Sequence, residues 1–207
     1  MMGRSFLSRF LRDRSGAGAA EFALVLPLAM LFLLGIIDAG RLFYDINRGE
    51  KTTQVGARWA VVTDPLAAPL KNSNYVGVTV GGVTLSQGDR IPQGALGLVT
   101  CTATSCTCTT APCPGGISAV DANAFGRLRD RMREFMPEIG NGNIVVEYRG
   151  SGLGYAGNPN GMDVFPLVTV RLVGMTFSPM LLFGNDVDLP DFSYTLTMED
   201  GAGSASF

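Results

Sequence analysis

An uninterrupted apolar segment lies near the amino terminus, between residues 22 and 37. Its sixteen residues carry no charge, and eleven of them are Leu, Ile, Val or Phe. On a membrane-insertion scale, these eleven side chains favour the bilayer by roughly 3 to 7 kcal/mol. Extended back to Ala17, the segment has 21 residues, which as a helix would measure roughly 31 Å, close to the thickness of a hydrocarbon core. The pattern predicts a membrane-spanning helix.

The helical periodicity continues beyond this apolar segment. Large apolar residues recur at spacings that fit one helix face, and charged residues occupy the remaining positions. Asp64 and Pro65 form a typical helix stop. We therefore predict one transmembrane and stalk segment over residues 17–63, helical to about Val62, with residues 64–207 as a head. The apolar residues assigned to the packing face of the helix are Ile36, Phe43, Ile46, Val55, Trp59 and Val62.

The head mixes strand and helix patterns. A strand or hairpin broken at Gly81 and Gly82 is predicted over residues 75–85, followed by strands at 143–149, 163–175 and 191–200. Between them, one helical face is predicted to carry Phe125, Leu128, Met132 and Phe135. The fold class expected is α+β, with a long amino-terminal transmembrane and stalk helix followed by a small head that contains an antiparallel sheet.

The charge before the apolar segment predicts its orientation. Four arginines and one aspartate precede residue 16, and basic residues beside a span tend to stay in the cytoplasm. The head is then expected outside the cytoplasm. The alternative is a secretory signal peptide cut after the apolar segment, but "IIDAGRLFYD" provides only a poor small-x-small cleavage site. A retained single-pass anchor is therefore favoured.

The residues around Gly16 indicate a more specific role. In "SGAGAAEF", Gly16 is followed by four small residues, then by Glu21 and the aromatic Phe22. This stretch resembles the processing site of type IV pilin-like proteins, and residues 14–58 resemble the TadE-like family of tight-adherence pilus proteins. The resemblance implies that a prepilin peptidase removes a basic leader, residues 1–16, by cutting after Gly16. Ala17 would be the new amino terminus and Glu21 the fifth mature residue.

Glu21 places a carboxylate at the edge of lipid, where an unpaired charge is unfavourable. Cleavage creates an α-ammonium group at Ala17, one helical turn away in the same chain. In pilin-like filaments the glutamate is thought to meet the amino terminus of an adjacent subunit, so the resemblance implies an assembly role for Glu21 and its neighbour Phe22. The alternative is that Glu21 lies at headgroup depth and contacts nothing specific.

Four cysteines lie close together in the Thr-rich segment "CTATSCTCTTAPC", predicted as a surface loop over residues 101–113. An even number of cysteines in an exported head favours two disulfides. Three pairings are open, of which the one with a Cys106–Cys108 bridge would be strained. A zinc site is disfavoured because the spacing lacks C-x2-C pairs and the chain has no histidine. No metal or other cofactor is predicted. The cysteines are Cys101, Cys106, Cys108 and Cys113.

Signals for catalysis and for nucleic-acid binding are weak. The segment "GLGYAG" at 152–157 matches G-x-G-x-x-G, but "NPNG" follows it in place of a helix, so a turn is expected. Four arginines between residues 127 and 133 are interleaved with acidic residues, which is typical of a solvated helix face. No catalytic residue, small-molecule substrate or nucleic-acid partner is predicted, and the chain is not expected to be an enzyme.

Three functions remain, in order of preference. The first is a minor pilin or pseudopilin of a tight-adherence pilus system that acts in assembly, priming, tip contact or adhesion. The second is a single-pass inner-membrane protein whose periplasmic head binds a partner without entering a filament. The third is a membrane-tethered enzyme. For the first, the resemblance implies a bacterial inner-membrane location, an extracellular one within a pilus, and as partners the prepilin peptidase, other pilins, the assembly platform and membrane lipid.

Overall fold

A computed structural model of the chain describes residues 16–159, 161–181, 184–198, 201 and 203. The described chain forms two compact units. The first contains the residues up to Phe43 together with Ser178–Val187, and the second contains Tyr44–Phe177 and the residues from Asp188 onward. Apart from Gly16, the predicted leader lies outside the described residues.

The predicted long helix is present as α1, Ala17–Val62, which has 46 residues. It is followed by Thr63, Asp64 and Pro65, so the predicted stop is confirmed at the expected position. A short helix, α2, occupies Ala68–Lys71. The residues between the two helices are fixed to the sheet of the second unit, because the Tyr148 hydroxyl accepts a hydrogen bond of 2.9 Å from the Leu66 backbone amide.

A five-stranded antiparallel sheet forms the centre of the second unit. The strand bounds of the chain are β1 Thr79–Val80, β2 Val83–Thr84, β3 Leu98–Cys101, β4 Cys106–Thr110, β5 Ile144–Arg149, β6 Leu167–Leu172, β7 Thr176–Phe177, β8 Val187–Asp188 and β9 Phe192–Thr197. The five strands of the central sheet are, in spatial order, β4, β3, β5, β6 and β9. Side chains on β5 and β6 alternate between buried and half-buried positions, so one face of the sheet supplies the core.

These strands confirm the α+β fold class and most of the predicted strand positions. The hairpin of β1 and β2 turns at Gly81 and Gly82, both with positive φ, as the paired glycines predicted. Strands β5, β6 and β9 lie within the other three predicted segments. Each is shorter than its segment, because flanking residues such as Asn143, Pro166 and Met198 lie outside the strands.

Helix α3, Ala122–Arg133, buries one side within the second unit. It begins at Asp121, whose carboxylate accepts hydrogen bonds from two backbone amides of the first turn. Phe125, Leu128 and Met132 are buried, as predicted. The prediction for Phe135 was wrong: the helix ends two residues before it, and its side chain is exposed.

The predicted packing face of the second half of α1 was also wrong. Val62 is exposed, and Ile46, Val55 and Trp59 are only half-buried. The buried side is instead made of small residues at helical spacing, which bring the backbone close to the sheet. Alanine at Gly56 would place its Cβ 2.9 Å from the Met132 sulfur. The buried residues of this side are Gly49, Thr52, Thr53, Gly56, Ala57, Ala60 and Thr63.

Candidate functional site on the amino-terminal helix

The predicted processing site lies at the start of α1. Gly16 is an exposed turn residue, the helix begins at Ala17, and the Gly16 carbonyl accepts a hydrogen bond of 3.1 Å from the Ala20 amide. Glu21 and Phe22 follow on the same helix, and both are exposed. Within the described part of this single chain, no ion pair involves Glu21. Cleavage after Gly16 and an assembly role for Glu21 and Phe22 therefore stay predictions.

Most of the apolar segment of α1 is exposed, and only Leu26, Leu34 and Gly35 are half-buried. Phe22, Leu24, Leu28 and Phe32 each have between 65 and 81% of their surface accessible. In water, an exposed apolar surface of this kind favours association or aggregation. Among the described residues, one helix, the one that carries this segment, is long and apolar enough to cross a membrane. The observation is compatible with the single-pass anchor that the pattern predicted.

Asp38 follows the apolar segment directly and is the charged residue that sequence reasoning missed. Only 7% of its surface is exposed. Its two carboxylate oxygens accept hydrogen bonds from the amides of Met180, at 3.0 Å, and Leu181, at 2.9 Å. Arg41, one helical turn on, lies 3.3 Å from the same carboxylate. The sequence shows an acidic residue at the end of the apolar segment, but no neighbouring residue indicates that the amides of Met180 and Leu181 are its partners.

A second polar cluster surrounds Arg48, within the second unit. The guanidinium forms ion pairs of 3.1 Å with both Asp45 and Glu138, donates to the Phe135 carbonyl at 3.1 Å, and stacks over the Tyr44 ring at 5.5 Å. Although partial desolvation lowers the pKa of Arg48, its bonds to the two carboxylates raise it overall. Arg48 therefore stays charged and joins the helix to the turn after α3.

The four cysteines form two pairs at disulfide distance, Cys101 with Cys106 and Cys108 with Cys113. Two disulfides were expected, and the pairing had been left open. The predicted surface loop is different, however: residues 98–101 and 106–110 are strands β3 and β4 of the central sheet. Threonine is β-branched and favours strands, so the Thr-rich composition that indicated a loop forms an edge hairpin.

The G-x-G-x-x-G segment ends in a turn at Ala156 and Gly157, and the helix that a phosphate-binding loop needs does not follow it. Asp163 is buried, and its carboxylate accepts hydrogen bonds of 2.8 Å from the amides of Tyr75, Gly157 and Asn158. An anion would need backbone amides of this kind, but here a side chain of the protein already uses them. The segment therefore has a structural role in this head.

Other chemistry in the described head is limited. Burial, and then the nearby Asp163 carboxylate, raise the pKa of Tyr75 to about 12, so its phenol is neutral at physiological pH. Across the described ranges, no group of three or more His, Cys, Asp or Glu side chains is arranged to hold a metal ion. The residues predicted from the sequence thus fall into two separate places, the start of α1 and the β3–β4 hairpin.

Comparison with known proteins gives a match that includes the first of these places, the start of α1. Residues 16–58 match a family described as TadE-like protein, so the predicted resemblance is confirmed for this segment. The matched family comprises structural, pilin-like proteins associated with tight-adherence pili. No curated protein and no solved structure shows a significant match to the chain. The match covers α1 up to Arg58, and the head, residues 64–207, lies beyond it.

Proposed function

From the premise that residues 16–58 are TadE-like, we propose that this chain is a minor pilin or pseudopilin of a tight-adherence pilus system. Its α1 helix anchors the chain in the bacterial inner membrane and then packs with other pilin helices. Its head, exported to the periplasm, acts in priming, tip contact or adhesion. The observation that carries the proposal is the exposed, uncharged helix segment from residue 22 to 37, with Glu21 at its amino-terminal edge.

The first support is the surface of this segment. Side chains such as Leu24 and Leu28 find no cover within the described chain, and burying a leucine contributes about 1.5 to 3 kcal/mol. Lipid provides that cover before assembly, and the helices of neighbouring pilins provide it afterwards. One surface therefore serves both the membrane-bound and the assembled state.

The second support is the position of Glu21. A carboxylate near hydrocarbon needs a partner, and the α-ammonium created at Ala17 by a prepilin peptidase is the nearest cation that processing would supply. In an assembly, the amino terminus of one subunit meets Glu21 of the next and fixes the register between their helices. The peptidase, other pilins, the assembly platform and membrane lipid are the partners that this mechanism requires.

The third support is the size of the head. Major subunits of such pili are expected to be little more than the helix, whereas this chain carries a folded unit with a five-stranded sheet after α1. A bulky subunit of this kind suits a small number of positions in a filament, such as the tip or the base. For this reason we propose that the chain is a minor subunit of the filament.

The test is the location of the chain in cells that make the pilus. Antibody against the head should detect it in the inner membrane and, at low copy number, in sheared extracellular filaments. A deletion strain should form fewer filaments, and the full chain should restore them. Presence in the membrane with complete absence from filaments would favour the alternative, a single-pass membrane protein with a periplasmic binding head.

A further inference from the structure

The Asp38 carboxylate holds a second segment of the chain against α1, within the first unit. One carboxylate oxygen accepts from the Met180 amide and the other from the Leu181 amide. This segment, Ser178–Leu181, reads Ser-Pro-Met-Leu and carries no charge. We propose that it is a second membrane contact, which lies at the headgroup boundary of the bilayer that α1 spans. The inference rests on the proposed function only in requiring α1 to be inserted in lipid.

The depth of the segment follows from its attachment point. Asp38 is the residue after Ile37, the last of the uncharged run, so it marks the outer edge of the hydrocarbon if the run spans it. Leu181 reaches further in: its Cδ1 atom lies 3.5 Å from the position that a Cβ at Gly35 would occupy. The Leu181 side chain therefore lies beside the last apolar turn of α1.

The backbone of the segment suits a poorly hydrated environment, because few of its amide groups lack a hydrogen-bond acceptor. Amide groups that lose water without gaining a hydrogen bond are strongly unfavourable in lipid. Pro179 has no amide hydrogen, and the next two amides donate to Asp38. Three consecutive residues thus present no free N–H group. Arg41 also lies 3.3 Å from the carboxylate, which offsets its charge.

The side chains give the segment an outward apolar surface. Met180 has 52% of its surface exposed, and a flexible, unbranched side chain adapts well to an irregular lipid boundary. In the described part of the chain this side of the methionine is open to solvent. A bilayer supplies an apolar neighbour at the depth fixed by Asp38, so a lipid surface is the partner that the position and the chemistry favour.

The inference can be tested with an environment-sensitive fluorophore on the full chain. Because the native cysteines are paired, Met180→Cys can be labelled selectively, and the protein reconstituted in phosphatidylcholine–phosphatidylglycerol vesicles. We expect a blue-shifted emission that is quenched by lipids with a shallow spin label. Val83→Cys, at an exposed strand position of similar apolar character, should give water-like, unquenched emission.

One further label, at Leu28, makes the result decisive. Leu28→Cys, in the middle of the uncharged run, should be quenched by deep spin labels. If it is not, the membrane premise shared with the proposed function is wrong. If Leu28 is quenched while Met180 gives water-like emission, the inference alone is wrong. A blue-shifted Met180 label that no lipid quencher reaches would indicate contact with protein, such as a second copy of the chain, and would also overturn it.

The role of Asp38 has its own control. In the Met180→Cys background, Asp38→Ala removes the acceptor for both amides, so shallow quenching should be lost. Asp45→Ala removes a carboxylate from the same helix, where its partner is Arg48, and should leave the quenching unchanged. Equal quenching in the Asp38→Ala and Asp45→Ala proteins would show that the carboxylate does not hold the segment at the membrane.

Discussion

At the scale of single residues, two carboxylates flank the uncharged run of α1 and differ in their surroundings. Asp38 is buried and satisfied by two amides and an arginine of its own chain. Glu21 is exposed and forms no ion pair with any described residue. A carboxylate near lipid is stabilised only by a partner or by water. Asp38 is therefore satisfied within the subunit, whereas Glu21 is available for the contact between subunits that we propose.

Replacing Glu21 by glutamine tests the role between subunits. Glu21→Gln should still insert, because removing a charge favours entry into lipid, and it should still be cleaved. Incorporation into filaments should fall, since an amide cannot neutralise a neighbour's α-ammonium. Breaking a buried ion pair from one side costs about 3 to 5 kcal/mol, and even about 1.4 kcal/mol corresponds to a tenfold change. The measurement compares membrane and sheared-filament fractions at matched expression.

The matched control is Glu50→Gln, which makes the same chemical change at an exposed position of the same helix beyond the apolar run. It should assemble like the wild-type chain. Equal filament incorporation of Glu21→Gln and wild type would mean that Glu21 is an incidental interfacial charge.

At the scale of elements, the sequence predicted what depends on local periodicity. Helix α1, helix α3 and the strands β5, β6 and β9 each carry a repeat of apolar residues that is visible without knowledge of their partners. Two features lack such a local repeat and were not predicted. The buried side of α1 is made of glycine, alanine and threonine, which give almost no hydropathy signal, and the partners of Asp38 are more than a hundred residues away.

The buried side of α1, which is made of small residues, predicts a steric effect at Gly49. A Cβ there would overlap the ring of Phe192, a buried residue of β9. Gly49→Val should therefore destabilise the second unit by about 1 to 3 kcal/mol, as overpacking typically does, even though valine is the better helix former. Gly126→Val in α3 is the control, because nothing lies within 4 Å of the added Cβ. Thermal unfolding followed by near-UV circular dichroism should separate the two variants, and equal midpoints would contradict the packing.

The two cysteine pairs between residues 101 and 113 make a second prediction, because they differ in burial. Both close loops of the same sequence separation, five residues, so loop-closure entropy contributes about 2 kcal/mol to each. Cys101 and Cys106 are buried, whereas Cys108 is exposed. Replacing Cys101 and Cys106 together by alanine should thus destabilise the head more than replacing Cys108 and Cys113.

Mass spectrometry of the exported protein checks the pairing itself. Alkylation without reductant should modify no cysteine, and peptide mapping should recover the two short-range pairs. Four alkylated thiols, stoichiometric zinc, or a bridge between Cys101 and Cys113 would contradict the arrangement. Denaturant unfolding of the two double-alanine variants then measures the difference that burial makes.

At the scale of the whole molecule, one helix has two kinds of surface in succession. Residues 22–37 expose large apolar side chains, and residues 49–63 bury small ones against the sheet of the second unit. The first surface suits lipid and then other helices, while the second fixes the head to its own helix. A subunit built in this way can transfer from membrane to filament without rearranging its head. The step that would start this transfer is release of the basic leader.

Processing after Gly16 is therefore the prediction that concerns the chain as a whole. The amino-terminal sequence of membrane-extracted protein should begin at Ala17. Gly16→Leu should keep the leader, because a bulky residue replaces the small one at the junction, while Gly18→Leu, also at an exposed glycine with open space around it, should be processed normally. The uncleaved variant should reach the membrane with a folded head, yet stay out of filaments, since no α-ammonium forms to meet Glu21 of a neighbour. Recovery of Met1, or of a terminus beyond Ile37, from the wild-type chain would overturn the pilin-like function.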